Sequence, residues 1–230
     1  MSTEGSVLVA GVGPGLGLAV AMRFAREGHK VAMLARSRER LNALAAQAPD
    51  RLVAMPCDLT DPTQVDAAFE QTEQRLGPLA CAVFNAGAYR PGSILDIAPG
   101  DFEHCWRVGA FAGFLVGQAA ARRMATRGSG TILFTGATAS LRGSARFANL
   151  ASPKFALRAV AQSMARELGP RGIHVAHVIV DGQIGEAQEG APPDSRLAPA
   201  AIADAYFDLH RQQRSAWSQE VDLRPWVERF

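Results

Sequence analysis

Gly11-Val12-Gly13-Pro14-Gly15-Leu16-Gly17 is the stretch on which the fold turns. It follows an unbroken apolar run, Ser6–Ala10, and leads into a pattern of helical period over Gly15–Glu27. The run predicts a buried strand and the pattern a helix, so the glycines stand at a strand-to-helix turn. Glycine there lets the backbone approach a ligand closely. A helix start also offers free N–H groups and the positive end of its dipole. That combination suits a pyrophosphate. Glycines alone would be read as a tight turn with no ligand; the strand before and the helix after favour the ligand.

Working outward, short apolar runs keep alternating with longer helical patterns. Strands are predicted at Lys30–Ala35, Leu52–Met55, Leu79–Phe84, Thr131–Thr135 and Ile173–Val180. Helices are predicted at Arg38–Gln47, from Asp61-Pro62 to Leu76, over Asp101–Thr126 and over Ala145–Gly169. Asp61 is a good N-cap and Pro62 a good first helical residue. The alternation predicts βαβ units and therefore an α/β fold with a doubly wound parallel sheet. The expected strand order is 3-2-1-4-5-6, in a single domain over residues 1–230. Beyond it, Gln183–Ala198 reads as a mobile loop, Pro199–Arg211 as a helix and Trp217–Phe230 as an aromatic tail docked on the domain. Residues 183–230 are expected to form a substrate lid and that tail.

Bulk properties narrow the function. The chain has 230 residues and a formal net charge of +2, with no Lys/Arg-rich run. That argues against a nucleic-acid partner. Its apolar runs are too short to span a bilayer, and Met1–Gly5 has no secretory character. The three cysteines, Cys57, Cys81 and Cys105, lack metal-ligand spacing, so no metal is expected. They read as buried small hydrophobes in a reducing compartment, and a cytoplasmic location is expected.

These features together resemble the short-chain dehydrogenase/reductase family. Its glycine motif is matched by Gly11, Gly15 and Gly17, its Asn-Ala-Gly motif by Asn85-Ala86-Gly87, and its adenine-side Asp by Asp58. The resemblance runs from Ser6 to about Gly182. It implies cofactor contacts at Gly11, Gly13, Gly15, Leu16, Gly17, Arg36, Asp58, Leu59, Asn85, Ala86, Gly87, Lys154, Gly182 and Ile184. At the end of strand two an acid would accept from a ribose 2′-OH, whereas Arg holds a 2′-phosphate. Arg36-Ser37-Arg38 stands there, so NADP(H) is favoured, with NAD left open.

The resemblance breaks at the catalytic positions. The family uses a Tyr-x-x-x-Lys pair, an earlier Ser and a helix Asn. Lys154 is kept, but Leu150 holds the Tyr position, Ala137 the Ser position and Gly109 the Asn position. Thr138 stands beside Ala137 as a substitute hydroxyl, so Lys154 and Thr138 are the catalytic candidates. The enoyl-reductase arrangement would put its Tyr at Phe147. The chain's two tyrosines, Tyr89 after the Asn-Ala-Gly turn and Tyr206 on the expected lid helix, are packing residues first and replacement acids second. His104 is read as a surface or interface residue, His174 and His177 as facing opposite sides of the sheet and so no metal pair, and Arg142 and Arg146 as a rim over the cleft, open to an anion or to solvent.

Two functions from different classes follow. One is an NADP(H)-dependent oxidoreductase with a modified proton-transfer site, acting on a small carbonyl, alcohol or enoyl substrate. The other is a catalytically inactive dinucleotide-binding sensor or scaffold. A lyase or isomerase with a structural cofactor is a weaker third. The first is favoured on family habit. The resemblance also implies a homodimer or homotetramer. The family's last strand is not visible after Tyr206, and its Pro-Gly after strand six is here Asp181-Gly182.

Overall fold

A computed structural model describes residues 5–186 and 188–228. The readings made on residues 1–4 and on positions 187, 229 and 230 lie outside them. Seven parallel strands form one sheet in the order β3-β2-β1-β4-β5-β6-β7. They are β1 (Ser6–Ala10), β2 (Val31–Ala35), β3 (Leu52–Pro56), β4 (Leu79–Phe84), β5 (Gly130–Thr135), β6 (Ile173–Val180) and β7 (Glu220–Leu223). The helices are α1 (Leu16–Arg26), α2 (Arg38–Ala45), α3 (Pro62–Leu76), α4 (Pro99–Trp106), α5 (Ala112–Arg127), α6 (Ala148–Leu168) and α7 (Pro199–Arg211).

Alternation along each strand builds two cores. Val7, Val9, Val31, Met33, Cys81 and Val83 face one layer, with Leu16, Val20 and Phe24 of α1 and Tyr206 and Phe207 of α7. Leu8, Ala10, Ala32, Leu34, Ala82 and Phe84 face the other, with Val65 and Phe69 of α3, Val116 and Met124 of α5 and Leu157 of α6. Successive strand residues point to opposite faces, so strands apolar on both faces must be covered twice. All three cysteines are buried and free, Cys81 and Cys57 inside these two cores.

Several elements differ from the sequence reading. The segment expected as one helix, Asp101–Thr126, is α4 and α5 joined by a π-helical turn, Arg107–Phe111. Helix α6 starts at Ala148, because residues 141–147 form the loop leaving β5. A last strand does exist: β7 pairs with β6 from His177↔Glu220 to Val180↔Leu223. Its sequence, Glu-Val-Asp-Leu, carries too little apolar alternation to announce a strand. Arg158 of α6 holds it in place through paired bonds to Glu220 at 2.7 and 2.6 Å. Helix α7 packs along α1, and Tyr206 on it is fully buried. No helix among the described residues is long and apolar enough to cross a membrane.

Candidate functional site

All seven strands are parallel, so their carboxyl ends lie along one edge of the sheet, where ligands of doubly wound folds bind. The glycine loop leaves β1 at this edge. Gly11 and Val12 donate to the Leu34 carbonyl at 2.8 and 3.0 Å. Gly11 has φ +95°, and a Cβ there would lie 2.4 Å from the Ala86 nitrogen. A Cβ on Gly17 would lie 2.7 Å from the Gly11 carbonyl oxygen. These two glycines are required by packing alone. Gly13 and Gly15 differ, since a Cβ on either would meet nothing within 4 Å. Their bare backbone faces open space.

Helix α1 starts on that open side. Gly15 is its N-cap, with no side-chain cap and no acid in the first turn. The first internal bonds are Leu18 to Gly13 at 3.2 Å and Ala19 to Gly15 at 3.1 Å. The preceding N–H groups of Gly15, Leu16 and Gly17 therefore have no acceptor among the described residues, as expected for a helix start awaiting an anion.

Asn85, at the end of β4, fastens this loop. Its Nδ2 donates to the Gly11 carbonyl at 3.0 Å, and its Oδ1 accepts from Thr135 Oγ1 at 3.2 Å. Thr135 Oγ1 is also 2.7 Å from the Tyr206 hydroxyl. Burial pushes the Tyr206 phenol well above its ordinary range. Sealed under α7, this tyrosine supports the loop and is not open to the cleft.

Around this loop stand the other residues singled out from sequence. Arg36 is exposed at the end of β2, beside Ser37, which caps α2 by accepting from the Arg40 N–H at 3.3 Å. Asp58 Oδ1 accepts from the N–H and hydroxyl of Thr60 at 2.9 and 2.8 Å. Those two bonds hold its carboxyl below the usual carboxylate range. Leu59 is buried behind it. Gly87 continues the turn after Ala86. Ile184 is exposed and bridges to Leu197.

Lys154 stands on the first turns of α6, 7% exposed, and its Nζ donates to the Thr135 carbonyl at 2.6 Å. Burial lowers its pKa to about 8. Gly109 lies in the π-helical turn facing α6, and a Cβ there would be 2.8 Å from Pro153 Cβ. An Asn at this position would require Pro153 or the turn to shift. Leu150 and Phe147 carry no ionisable proton, and Tyr89 lies half-exposed with its ring 5.4 Å from Phe147. Arg142 and Arg146 are exposed on the same loop. His174 and His177 point to opposite faces of β6, and no group of His, Cys, Asp and Glu among the described residues has metal-holding geometry.

Sequence reasoning missed Asp181. This residue directly follows β6, is 4% exposed, and accepts a hydrogen bond from the Thr138 hydroxyl. Its second oxygen is 3.5 Å from the Arg224 guanidinium, which also pairs with Asp222. The only signal was Asp181-Gly182 standing where the family has Pro-Gly. The tail then crosses Gly182, whose Cβ would lie 2.9 Å from Pro225.

A family profile described as short chain dehydrogenase matches residues 6–184. The chain belongs to the short-chain dehydrogenase/reductase family, a family of oxidoreductases. It is similar to a short-chain dehydrogenase from Rhodopseudomonas palustris whose structure is solved. That likeness has 41% identity and a TM-score of 0.86, covering 98% of this chain and 100% of the other. The 3-oxoacyl-[acyl-carrier-protein] reductase MabA of Mycobacterium avium is 36% identical over 197 residues, covering 86% of this chain and 73% of that protein. An uncharacterised oxidoreductase of Staphylococcus aureus (strain USA300) is 26% identical over 228 residues, 97% of this chain and 98% of the relative.

Proposed function

We propose that this short-chain dehydrogenase/reductase is an NADP(H)-dependent oxidoreductase in which Thr138 and Asp181 take over proton transfer. The residues present suit a dinucleotide. Open backbone at Gly13 and Gly15 and the free N–H groups of Gly15, Leu16 and Gly17 would hold the pyrophosphate. Asp58, Leu59, Ala86 and Gly87 would border the adenosine, and Arg36 would pair with a 2′-phosphate. Lys154 would bond the nicotinamide ribose, with Gly182 and Ile184 beside the carboxamide. The bound nicotinamide supplies or takes the hydride.

The observation that carries the enzyme reading is the Thr138–Asp181 hydrogen bond at the strand ends. In alcohol oxidation the substrate O–H proton passes to Thr138 Oγ1 as the Thr138 proton passes to Asp181 Oδ1. Carbonyl reduction runs the same transfer backwards. Such assistance is typically worth about 10²–10⁴-fold. The MabA relative directs the first choice of substrate to 3-oxoacyl thioesters, followed by simple ketones, aldehydes and enoyl thioesters.

The test mixes pure protein with NADPH or NADH and this panel, following absorbance of the reduced nicotinamide. Turnover with NADPH that falls at least about a hundredfold in Asp181→Asn supports the reading. Turnover unchanged by that substitution removes Asp181 from it. The loss of the family's phenol, with Leu150 and Phe147 at the two positions that would carry it, favours one second reading, a sensor or scaffold. Tight NADPH binding with no turnover on any substrate selects it. Arg36→Asp is expected to shift preference toward NADH by about tenfold or more, the loss of a charge-assisted pair. The family habit of dimers and tetramers extends to this chain as part of the proposal, and sedimentation equilibrium measures it.

A further inference from the structure

A second cavity lies at the opposite edge of the sheet. Its volume is about 770 Å³, and its walls come from the amino-terminal ends of β4, β5 and β6, the end of α5 and the end of α7. A five-residue strand separates it from the glycine loop, about 17 Å at ~3.3 Å per residue. The proposed cofactor does not reach it. Its size falls in the range that encloses a small organic molecule, roughly 300–1,000 Å³.

Charge at this cavity has one sign. Arg127, Arg211 and Arg214 line it, and no Asp or Glu does. Arg127 is shared with Glu73 at 3.1 Å. Arg211 lies over the Phe207 ring, 5.5 Å from its centroid, and Arg214 donates to the Gly128 carbonyl at 2.9 Å. Neither Arg211 nor Arg214 has a carboxylate partner among the described residues. Each guanidinium has five N–H donors, so most of their capacity is uncommitted.

Three histidines form the floor. His29 Nδ1 is 3.0 Å from the Gly5 carbonyl, His210 Nδ1 is 3.0 Å from Thr131 Oγ1, and His174 Nε2 is 2.8 Å from the Ser218 carbonyl. His174 is 3% exposed and packs beneath the Leu209 carbonyl. Burial holds His210 down to about 4, and the ring is neutral at pH 7. The wall is flat and apolar where Trp217 stacks on His174, with ring centroids 4.9 Å apart and planes at 4°.

We propose that this cavity is a second ligand site, for a small organic anion. Its planar body lies against Trp217, and its phosphate or carboxylate head is taken by Arg211 and Arg214. A bare oxyanion would leave most of the volume and the aromatic wall unused. A neutral apolar guest would leave the guanidinium pair unmet.

Calorimetric titration of the full chain with phenyl phosphate, phenylacetate and benzyl alcohol, each with NADP⁺ present in excess, tests this. At least one of the two anions is expected to bind below about 1 mM, and the neutral alcohol about tenfold more weakly or not at all. Whichever anion binds identifies the head group. Arg211→Ala/Arg214→Ala, both exposed positions, is expected to weaken binding at least about tenfold with an unchanged melting temperature. No binding of either anion at about 10 mM overturns the proposal, as does binding unchanged in the double variant. Should that variant fail to fold, a structure soaked with 4-bromophenyl phosphate decides. Anomalous bromine signal beside Trp217 supports the site, and signal beside the glycine loop or no signal overturns it.

Discussion

The Thr138 hydroxyl donates to the Asp181 carboxylate, joining the turn after β5 to the end of β6. Arg224, carried on the segment after β7, approaches the other Asp181 oxygen at 3.5 Å. A single buried carboxylate thus ties two strand ends and the tail together. Asp181→Ala is expected to destabilise the protein by about 1–3 kcal/mol, because a half-buried hydroxyl loses its acceptor and a guanidinium loses one of its two carboxylates. Asp181→Asn keeps the shape and is expected to cost less. Thermal melting of the two variants checks the order, and Asn melting lower than Ala would contradict it.

Two glycines of the loop differ in what stands over them. Gly17→Ala is expected to lower both stability and NADPH affinity, because its Cβ would meet the Gly11 carbonyl at 2.7 Å. Gly15→Ala meets nothing within 4 Å in the protein and is expected to fold like the parent. Its methyl group would occupy the proposed pyrophosphate space, so NADPH binding is expected to weaken at least about tenfold. Melting and fluorescence titration separate the two effects. Unchanged NADPH affinity in Gly15→Ala would show that the open space is not where the phosphates go.

Lys154 is buried at a cost that depends on pH. Its pKa falls from 10.5 to about 8 through desolvation. Between those values the unfolded chain keeps the proton and the folded chain does not, so stability rises with pH across about 8 to 10.5. Below about 8 the full cost is present, on the order of 3 kcal/mol. Lys154→Met removes this term together with the bond to the Thr135 carbonyl. The variant is expected to melt above the parent at pH 7, with the difference shrinking toward pH 10. A difference independent of pH would contradict the buried-lysine account. Loss of nicotinamide nucleotide affinity in the same variant would place its Nζ on the ribose.

Pro153 and Gly109 form a matched pair. Gly109→Asn is expected to destabilise by about 1–3 kcal/mol through overpacking, since its Cβ would lie 2.8 Å from Pro153 Cβ. Adding Pro153→Ala is expected to recover most of the loss. Denaturant unfolding of the single and double variants measures the coupling, and additive effects would sink the explanation.

The positions of the candidate site residues on the fold were legible locally. Gly11–Gly17, Asp58, Asn85-Ala86-Gly87 and Lys154 are readable because each depends on its own strand end or helix start. Asp181 was not readable as a partner of Thr138, because 43 residues separate them in sequence. Only the β5–β6 pairing makes them neighbours. The seventh strand was hidden for a related reason. Glu220–Leu223 owes its extended form to β6 and to Arg158, with little contribution from its own composition.

By itself, then, the sequence determined the parallel sheet, the two-sided cores and the glycine turn. Period-two burial, helical spacing and glycine's tolerance of close approach are properties of short segments. The tertiary structure decided which polar groups share a buried space: Thr138 with Asp181, Asn85 with Thr135 and Tyr206, and the histidines and arginines of the far cavity. Those pairings arise where strand order and helix packing bring distant segments together, and burial then leaves each polar atom dependent on the neighbour it meets.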